Sequence, residues 1–314
     1  MLIKSKIDLI GNTPLMKLED SDIKASIVAK LDYMNPSGST KDRIAKYMVE
    51  DAEREGVLKP GKIILEASTG NTAIALAFVG AVKGYKVKLF VPKTVVENEK
   101  LTFLKLLNAE VEQVDTEDVD SDSVHGGRIE LLPRQKCLDL EQQAPEKYWW
   151  ARQFSNKSNA RAHYDSTGKE IVQQLGSERV DAFVTSIGTA GTFVGIAKAV
   201  KEKFPEAKLF SVEPTDFALL QNGKEGIILI DGISGGLLLE AADLVDEVLT
   251  VNTQQAVEMS NKLAAHYGIL CGISSGANYY AAKLVSDKYP EFENILTIFP
   301  DRVDRYFTTT KYTT

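Results

Sequence analysis

The chain has 314 residues, 44% hydrophobic and 26% charged, with a net charge of -7, the balance of a folded protein long enough for one large domain or two lobes. The acidic surplus and the lack of any Lys/Arg cluster argue against nucleic-acid binding. Two cysteines (Cys137, Cys271) and three histidines (His125, His163, His266) are too dispersed for a disulfide framework or a metal site. No run reaches the roughly 18 apolar residues of a membrane helix, and the opening MLIKSKIDLIGNTP lacks the apolar core of a signal peptide, so a cytoplasmic protein is expected.

In chain order, the first chemical signal is Asn35-Pro36-Ser37-Gly38-Ser39-Thr40-Lys41-Asp42-Arg43, a tight turn leading into a helix with Lys41 at the junction. A lysine fixed there can form a Schiff base when its pKa is lowered, and the same amine can move a proton. The plainer alternative is a solvated lysine after a turn. A strand over 63–65 is followed by the loop 66–71, an Ala-rich helix over 72–83, and a strand over 87–91 that stops at Pro92. Residues 68–72 offer backbone N–H, hydroxyl and amide donors at a helix start, where the dipole favours an anion such as a carboxylate. Alternatively, Ser68 merely caps that helix.

Residues 110–150 are polar and weakly periodic, and the strand–helix rhythm resumes near Ile171, which places a lobe boundary close to residue 150. The expected lobes are 1–150, with the opening residues able to pack on the other lobe, and 151–314. Asp118, Asp120 and Asp122 have calcium-loop spacing. Ser123 and Ile129, however, stand where the turn glycine and bidentate glutamate belong, so a solvated acidic loop is expected.

A strand over 182–185 leads through 186–192 into a helix ending near Phe204, then a strand over 209–212 stopped by Pro214. Gly188-Thr189-Ala190-Gly191-Thr192 suits an esterified monophosphate. A dinucleotide is the rival, because Glu213 sits where a ribose-binding acid belongs, but Ala190 occupies the middle-glycine position of GxGxxG. Gly272-Ile273-Ser274-Ser275-Gly276 precedes a helix over 277–288 and a strand over 295–299. It satisfies GxSxG, yet His266 lies upstream of Ser274, against the hydrolase order, so Ser274 is read as a hydrogen-bonding group or cap at a helix start. This alternation implies an α/β fold of parallel sheets covered by helices, with the three loops lining one cleft. The end, YFTTTKYTT, is read as a mobile tail.

Taken together, IGNTPLMKL, NPSGSTKDR, EASTGNTAIALA, RQFSN, HYDSTGKEI, GTAGT, CGISSGAN and FPDRVDRYF resemble the fold type II pyridoxal-phosphate enzymes over nearly the whole chain. The branch is that of cysteine synthase and cystathionine β-synthase, with the two-lobed fold of the tryptophan synthase β-subunit. The resemblance implies pyridoxal 5′-phosphate as cofactor, Lys41 as its Schiff-base lysine and Asn71 as partner of its 3′ oxygen. Gly188, Thr189, Ala190, Gly191 and Thr192 are implied to hold the phosphate, and Ser274 to face the ring nitrogen. Ser68, Thr69, Gly70, Asn71 and Thr72, with Gln153, are implied to grip a substrate carboxylate. A homodimer acting on a small amino acid with sulfide or a thiol is implied as well.

The implied chemistry is β-elimination and β-replacement on an activated serine, foremost cysteine synthesis from O-acetylserine and sulfide. A serine opposite the ring nitrogen weakens the electron sink and favours loss of a β-substituent. Ala67, Thr69, Ala73 and Lys157-Ser158 depart from the family's proline, serine, glycine and proline-containing pair, which leaves substrate identity open. Cystathionine β-synthase, cysteine desulfhydrase and diaminopropionate synthase are the alternatives within this chemistry. HGGR at 125–128 and DRVDRYF are similar to relatives making cystathionine or diaminopropionate. The absence of arginine from 231–236 disfavours a phosphorylated serine. Outside it stand a nicotinamide oxidoreductase and a non-catalytic regulatory protein on the same fold, against which the retention of Lys41 counts.

Overall fold

The computed structural model describes residues 3–68, 70–93, 99–115, 131–215, 218 and 239–308. Thr69, the acidic loop with HGGR (118–129) and the stretch 231–236 lie outside these residues. By internal contacts the chain forms two units: Met1–Ile10 with Asn35–Asn159, and Gly11–Met34 with Ala160–Thr314.

The strands are β1 (Leu15–Leu18), β2 (Ser26–Lys30), β3 (Ile63–Ala67), β4 (Lys86–Pro92), β5 (Glu110–Val114), β6 (Tyr148–Trp150), β7 (Ala182–Ser186), β8 (Lys208–Pro214), β9 (Glu247–Val251) and β10 (Asn294–Ile298). The helices are α1 (Lys41–Arg54), α2 (Asn71–Lys83), α3 (Glu99–Leu106), α4 (Leu131–Gln143), α5 (Ser158–Ala162), α6 (Lys169–Leu175), α7 (Gly191–Lys203), α8 (Leu239–Ala242), α9 (Thr253–Tyr267) and α10 (Ile273–Lys288).

In the first unit, β5-β4-β3-β6 form a sheet whose pairs are all parallel. Parallel strands need both faces covered, which explains why β3 is buried from Ile64 to Ala67 and why α2, rich in alanine, buries residues on nearly every side. Leu65, Ala67, Phe90, Val114 and Cys137 pack between this sheet and α4. Because every strand points the same way, the loop from β3 to α2 opens at the sheet's C-terminal edge.

In the second unit the order is β1-β2-β10-β7-β8-β9. Only β1 runs antiparallel, Leu15 facing Lys30 and Leu18 facing Ile27. The remaining pairs are parallel, and β10 at the centre is buried at all five positions. One face packs on α9 and α10 through Phe210, Val212, Leu263, Tyr279 and Phe299; the other packs on α6 and α7 through Phe183, Phe193, Ile196 and Leu209. Lys30 is buried on β2, its Nζ donating to Thr13 O at 2.7 Å and Gln174 Oε1 at 2.8 Å and pairing with Glu170 Oε2 at 2.8 Å. This anchors α6 to the sheet. Between α5 and α6 runs a π-helical turn, His163–Gly168.

Candidate active site

In the first unit, the turn before Lys41 is closed from both ends. Gly38 N–H donates to Asn35 O at 2.8 Å, and Gly38 takes a left-handed φ of 94° that only glycine adopts without strain. The buried Asp42 accepts from Ser37 N at 2.7 Å and from the Ser37 hydroxyl. Lys41 is therefore the first residue of α1, half-buried, with its N–H donating to Ser39 Oγ at 3.3 Å. The turn fixes the backbone from which the amine projects.

The second group of candidates lies at the C-terminal edge of the same unit's sheet. Gly70, not Ser68, is the N-cap of α2; the Ser68 hydroxyl instead accepts from Gly70 N at 3.3 Å. The N-cap Gly70 offers no side-chain cap and the first turn of α2 holds no acidic residue, so Asn71 and Thr72 stand at the positive end of the helix. Thr72 Oγ1 donates to Gln153 Oε1 at 2.6 Å, joining two of the residues assigned to the carboxylate site.

Gln153 is set by residues that the sequence reading passed over. The backbone reverses at Arg152 (φ 55°), whose guanidinium pairs with Glu141 and lies 4.6 Å above the Trp150 ring. Glu66 is 1% exposed and accepts from Gln153 N at 2.9 Å, Trp150 Nε1 at 3.0 Å and Ala67 N at 2.9 Å. Burial pushes its carboxyl pKa up, while these donors pull it back. A lone acid inside the apolar run of β3 is the sequence signal that could have exposed it. Both cysteines are free and buried, and burial raises both thiols, Cys271 to about 12.

In the second unit, residues 187–190 join β7 to α7. Ala190 is the N-cap, in the left-handed region with φ 67° and ψ -17°. The N-cap Ala190 offers no side-chain cap and no acid lies in the first turn of α7, so the backbone N–H groups of the loop and the hydroxyls of Thr189 and Thr192 gather at a positive helix start.

Ser274 lies in the first turn of α10, 5% exposed, with Gly272 as N-cap and no side-chain cap. That helix start is held beside the exit from β10: Gly272 N donates to Asp301 O at 2.9 Å, and Cys271 bridges Arg302. Asn278 ties it to the β7 loop by accepting from Ser186 N at 2.8 Å while donating to Ile298 O at 2.8 Å. The loop 187–190 and Ser274 therefore share the C-terminal edge of one sheet. By contrast, α9 begins with a complete capping box between Asn252 and Gln255.

These donor sets fit pyridoxal phosphate. In the second unit the N–H and hydroxyl groups at the start of α7 suit a phosphate dianion and the Ser274 hydroxyl suits a neutral ring nitrogen, while in the first unit Lys41 carries an amine of the kind that binds the aldehyde. Among the described residues no group of His, Cys, Asp or Glu is placed to hold a metal ion, and no helix is long and apolar enough to cross a membrane.

Residues 7–301 match the family described as pyridoxal-phosphate dependent enzyme. The chain belongs to this family. A cysteine synthase of Staphylococcus aureus is 35% identical over 308 residues, 97% of this chain and 95% of that protein. Among solved structures, O-ureido-L-serine synthase superposes with a TM-score of 0.90 at 30% identity, covering 100% of this chain and 96% of that one. A hydrogen sulfide-producing enzyme of Fusobacterium nucleatum gives 0.88 at 36% identity, covering 98% and 100%. The protein is thus a pyridoxal-phosphate-dependent enzyme of the cysteine synthase type, on the fold type II α/β scaffold.

Proposed function

We propose that the enzyme replaces or eliminates the β-substituent of an activated serine, with O-acetylserine as donor and sulfide as acceptor. The observation that carries this reading is the set of uncapped starts of α2, α7 and α10, aligned with the three loops that the family resemblance assigns to substrate carboxylate, cofactor phosphate and ring nitrogen.

In this reading Lys41 holds the cofactor and then acts as the base that removes the substrate's Cα proton. Pyridoxal phosphate, when bound, withdraws electrons from Cα and makes that proton removable. Asn71 donates to the cofactor's 3′ oxygen, and Gly188, Thr189, Ala190, Gly191 and Thr192 hold its phosphate. Ser274 faces the ring nitrogen with a hydroxyl, which does not keep a proton there as a carboxylate does. Ser68, Thr69, Gly70, Asn71, Thr72 and Gln153 orient the substrate carboxylate so that the β-leaving group departs as the Cα proton is lost.

A reducing cytoplasm and a homodimeric state complete the proposal, supported by the two buried free thiols and by the family resemblance respectively. A second reading, in which cysteine is the donor and sulfide the product, is favoured by the likeness to the hydrogen sulfide-producing enzyme. A product survey separates them. Serine, O-acetylserine, O-phosphoserine and cysteine are each offered with sulfide, homocysteine or no acceptor. Cysteine formed fastest from O-acetylserine and sulfide supports the first reading, and sulfide released fastest from cysteine replaces it with the second.

A further inference from the structure

The phosphate cradle is backed by a side chain that no reading of the reaction uses. His163 is 0% exposed, and both of its ring nitrogens lie on hydroxyls: Nδ1 is 2.9 Å from Thr167 Oγ1, and Nε2 is 3.1 Å from Thr192 Oγ1. Thr192 stands in the uncapped first turn of α7, and Thr167, like His163, belongs to the π-helical turn. The two segments touch backbone to backbone. A Cβ on Gly195 would fall 2.5 Å from Ala160 O and 2.6 Å from Tyr164 N, and one on Gly168 would fall 2.5 Å from the Ala199 methyl. Only glycine at these positions lets α7 approach closely enough for the imidazole to reach Thr192. π-helical turns are rare and gather at functional sites.

A hydroxyl has one proton to give. If imidazole Nε2 is bare, Thr192 spends that proton on it, and the Thr192 oxygen presents only lone pairs to the loop. If Nε2 carries the hydrogen, it donates to Thr192 Oγ1, the hydroxyl proton is released toward the loop, and bare Nδ1 accepts from Thr167. Of the two neutral tautomers, only the second serves an anion.

We propose that His163 is a positioning residue for the cofactor phosphate: held by Thr167 in the Nε2–H tautomer, it turns the Thr192 hydroxyl proton toward the anion. This inference rests on the reading that residues 188–192 hold that phosphate. It concerns the direction of one proton and leaves the proton steps of catalysis to Lys41.

The first test is nitrogen-15 NMR of histidine-labelled holoenzyme. His163 should show the resonances of the Nε2–H tautomer; those of the Nδ1–H tautomer overturn the proposal. The second test compares pyridoxal 5′-phosphate with pyridoxal, which lacks the phosphate, binding to apoprotein. His163→Leu and Thr192→Val should each weaken the phosphorylated ligand by about tenfold, the loss of one hydrogen bond to a charged group. Together they should do no more than either alone, and pyridoxal affinity should stay unchanged. His163→Gln, whose amide nitrogen can stand in for Nε2–H, should recover most of the affinity. Equal loss for both ligands makes His163 a purely structural residue and refutes the proposal. Should His163→Leu fail to fold, Thr167→Val carries the same comparison. Wild-type protein that takes up pyridoxal phosphate but shows the wrong tautomer defeats this inference alone, whereas wild-type protein that takes up none defeats the functional reading with it.

Discussion

The backbone N–H of Gln153 donates to Glu66 Oε2 at 2.9 Å, so a residue assigned to the substrate carboxylate is held in place by an acid of the neighbouring strand. Glu66 accepts three N–H donors, and a glutamine there would turn an NH2 group toward at least one of them. Glu66→Gln should therefore destabilise the first unit by about 1–3 kcal/mol. It should raise KM for the amino-acid donor while leaving cofactor content intact, as steady-state kinetics and absorbance can check. Ala67, standing where the family pattern has proline, supplies one of those donors, so Ala67→Pro should shift the same properties in the same direction.

Glu66 also sets a pH dependence. Its folded pKa is raised above the usual 4.5 by burial, so its contribution to stability is fully present below that value and is lost as pH rises through the folded pKa. The stability difference between wild type and Glu66→Gln, followed by urea denaturation from pH 4.5 upward, should therefore change with pH over that window. A difference independent of pH would refute the assignment.

Ala190 holds a left-handed backbone (φ 67°) at the start of α7, a conformation that costs an ordinary residue about 1–2 kcal/mol. Glycine removes that strain but loses more freedom on folding, so Ala190→Gly should match or exceed wild-type stability by up to ~1 kcal/mol. Ala190→Val should lower it by more than ~1 kcal/mol, because a β-branched residue tolerates this region poorly. Thermal unfolding of the three proteins decides the order.

Lys30 is a buried cation paired with Glu170 at 2.8 Å. Replacing it by methionine keeps the bulk but leaves a nearly buried carboxylate without its cation, which should cost about 3–5 kcal/mol in chemical denaturation. The double variant Lys30→Met with Glu170→Leu should regain most of that. A loss below about 1 kcal/mol in the single variant would show that the pair is solvated.

The elements legible in the sequence are those whose apolar run ends in glycines and hydroxyls: β3 with α2, β7 with α7, and α10 with β10. All three helices start earlier than their composition indicates, α2 by one residue at Asn71, α7 at Gly191 and α10 at Ile273, because residues that read as loop form first turns without a side-chain cap. The short strands β1, β5, β6 and β9 left no pattern, since their burial follows neither strict alternation nor a continuous apolar run. Helix α4 was hidden by its polarity and by Pro133, which an N-terminal turn tolerates. Roles could be named for motif residues such as Lys41 and Ser274, whereas Glu66, His163 and Asn278 stand in the same motifs without a legible role. Their roles come from hydrogen bonds reaching 29 to 92 residues along the chain.

The most direct test of the central claim is borohydride reduction of the purified protein followed by peptide mass mapping. The expected result is a yellow protein whose visible absorption is lost on reduction, with pyridoxyl phosphate attached to the peptide carrying Lys41 and no attachment in Lys41→Ala. A colourless protein that cannot be reconstituted with pyridoxal phosphate, or a label on another lysine, would contradict it.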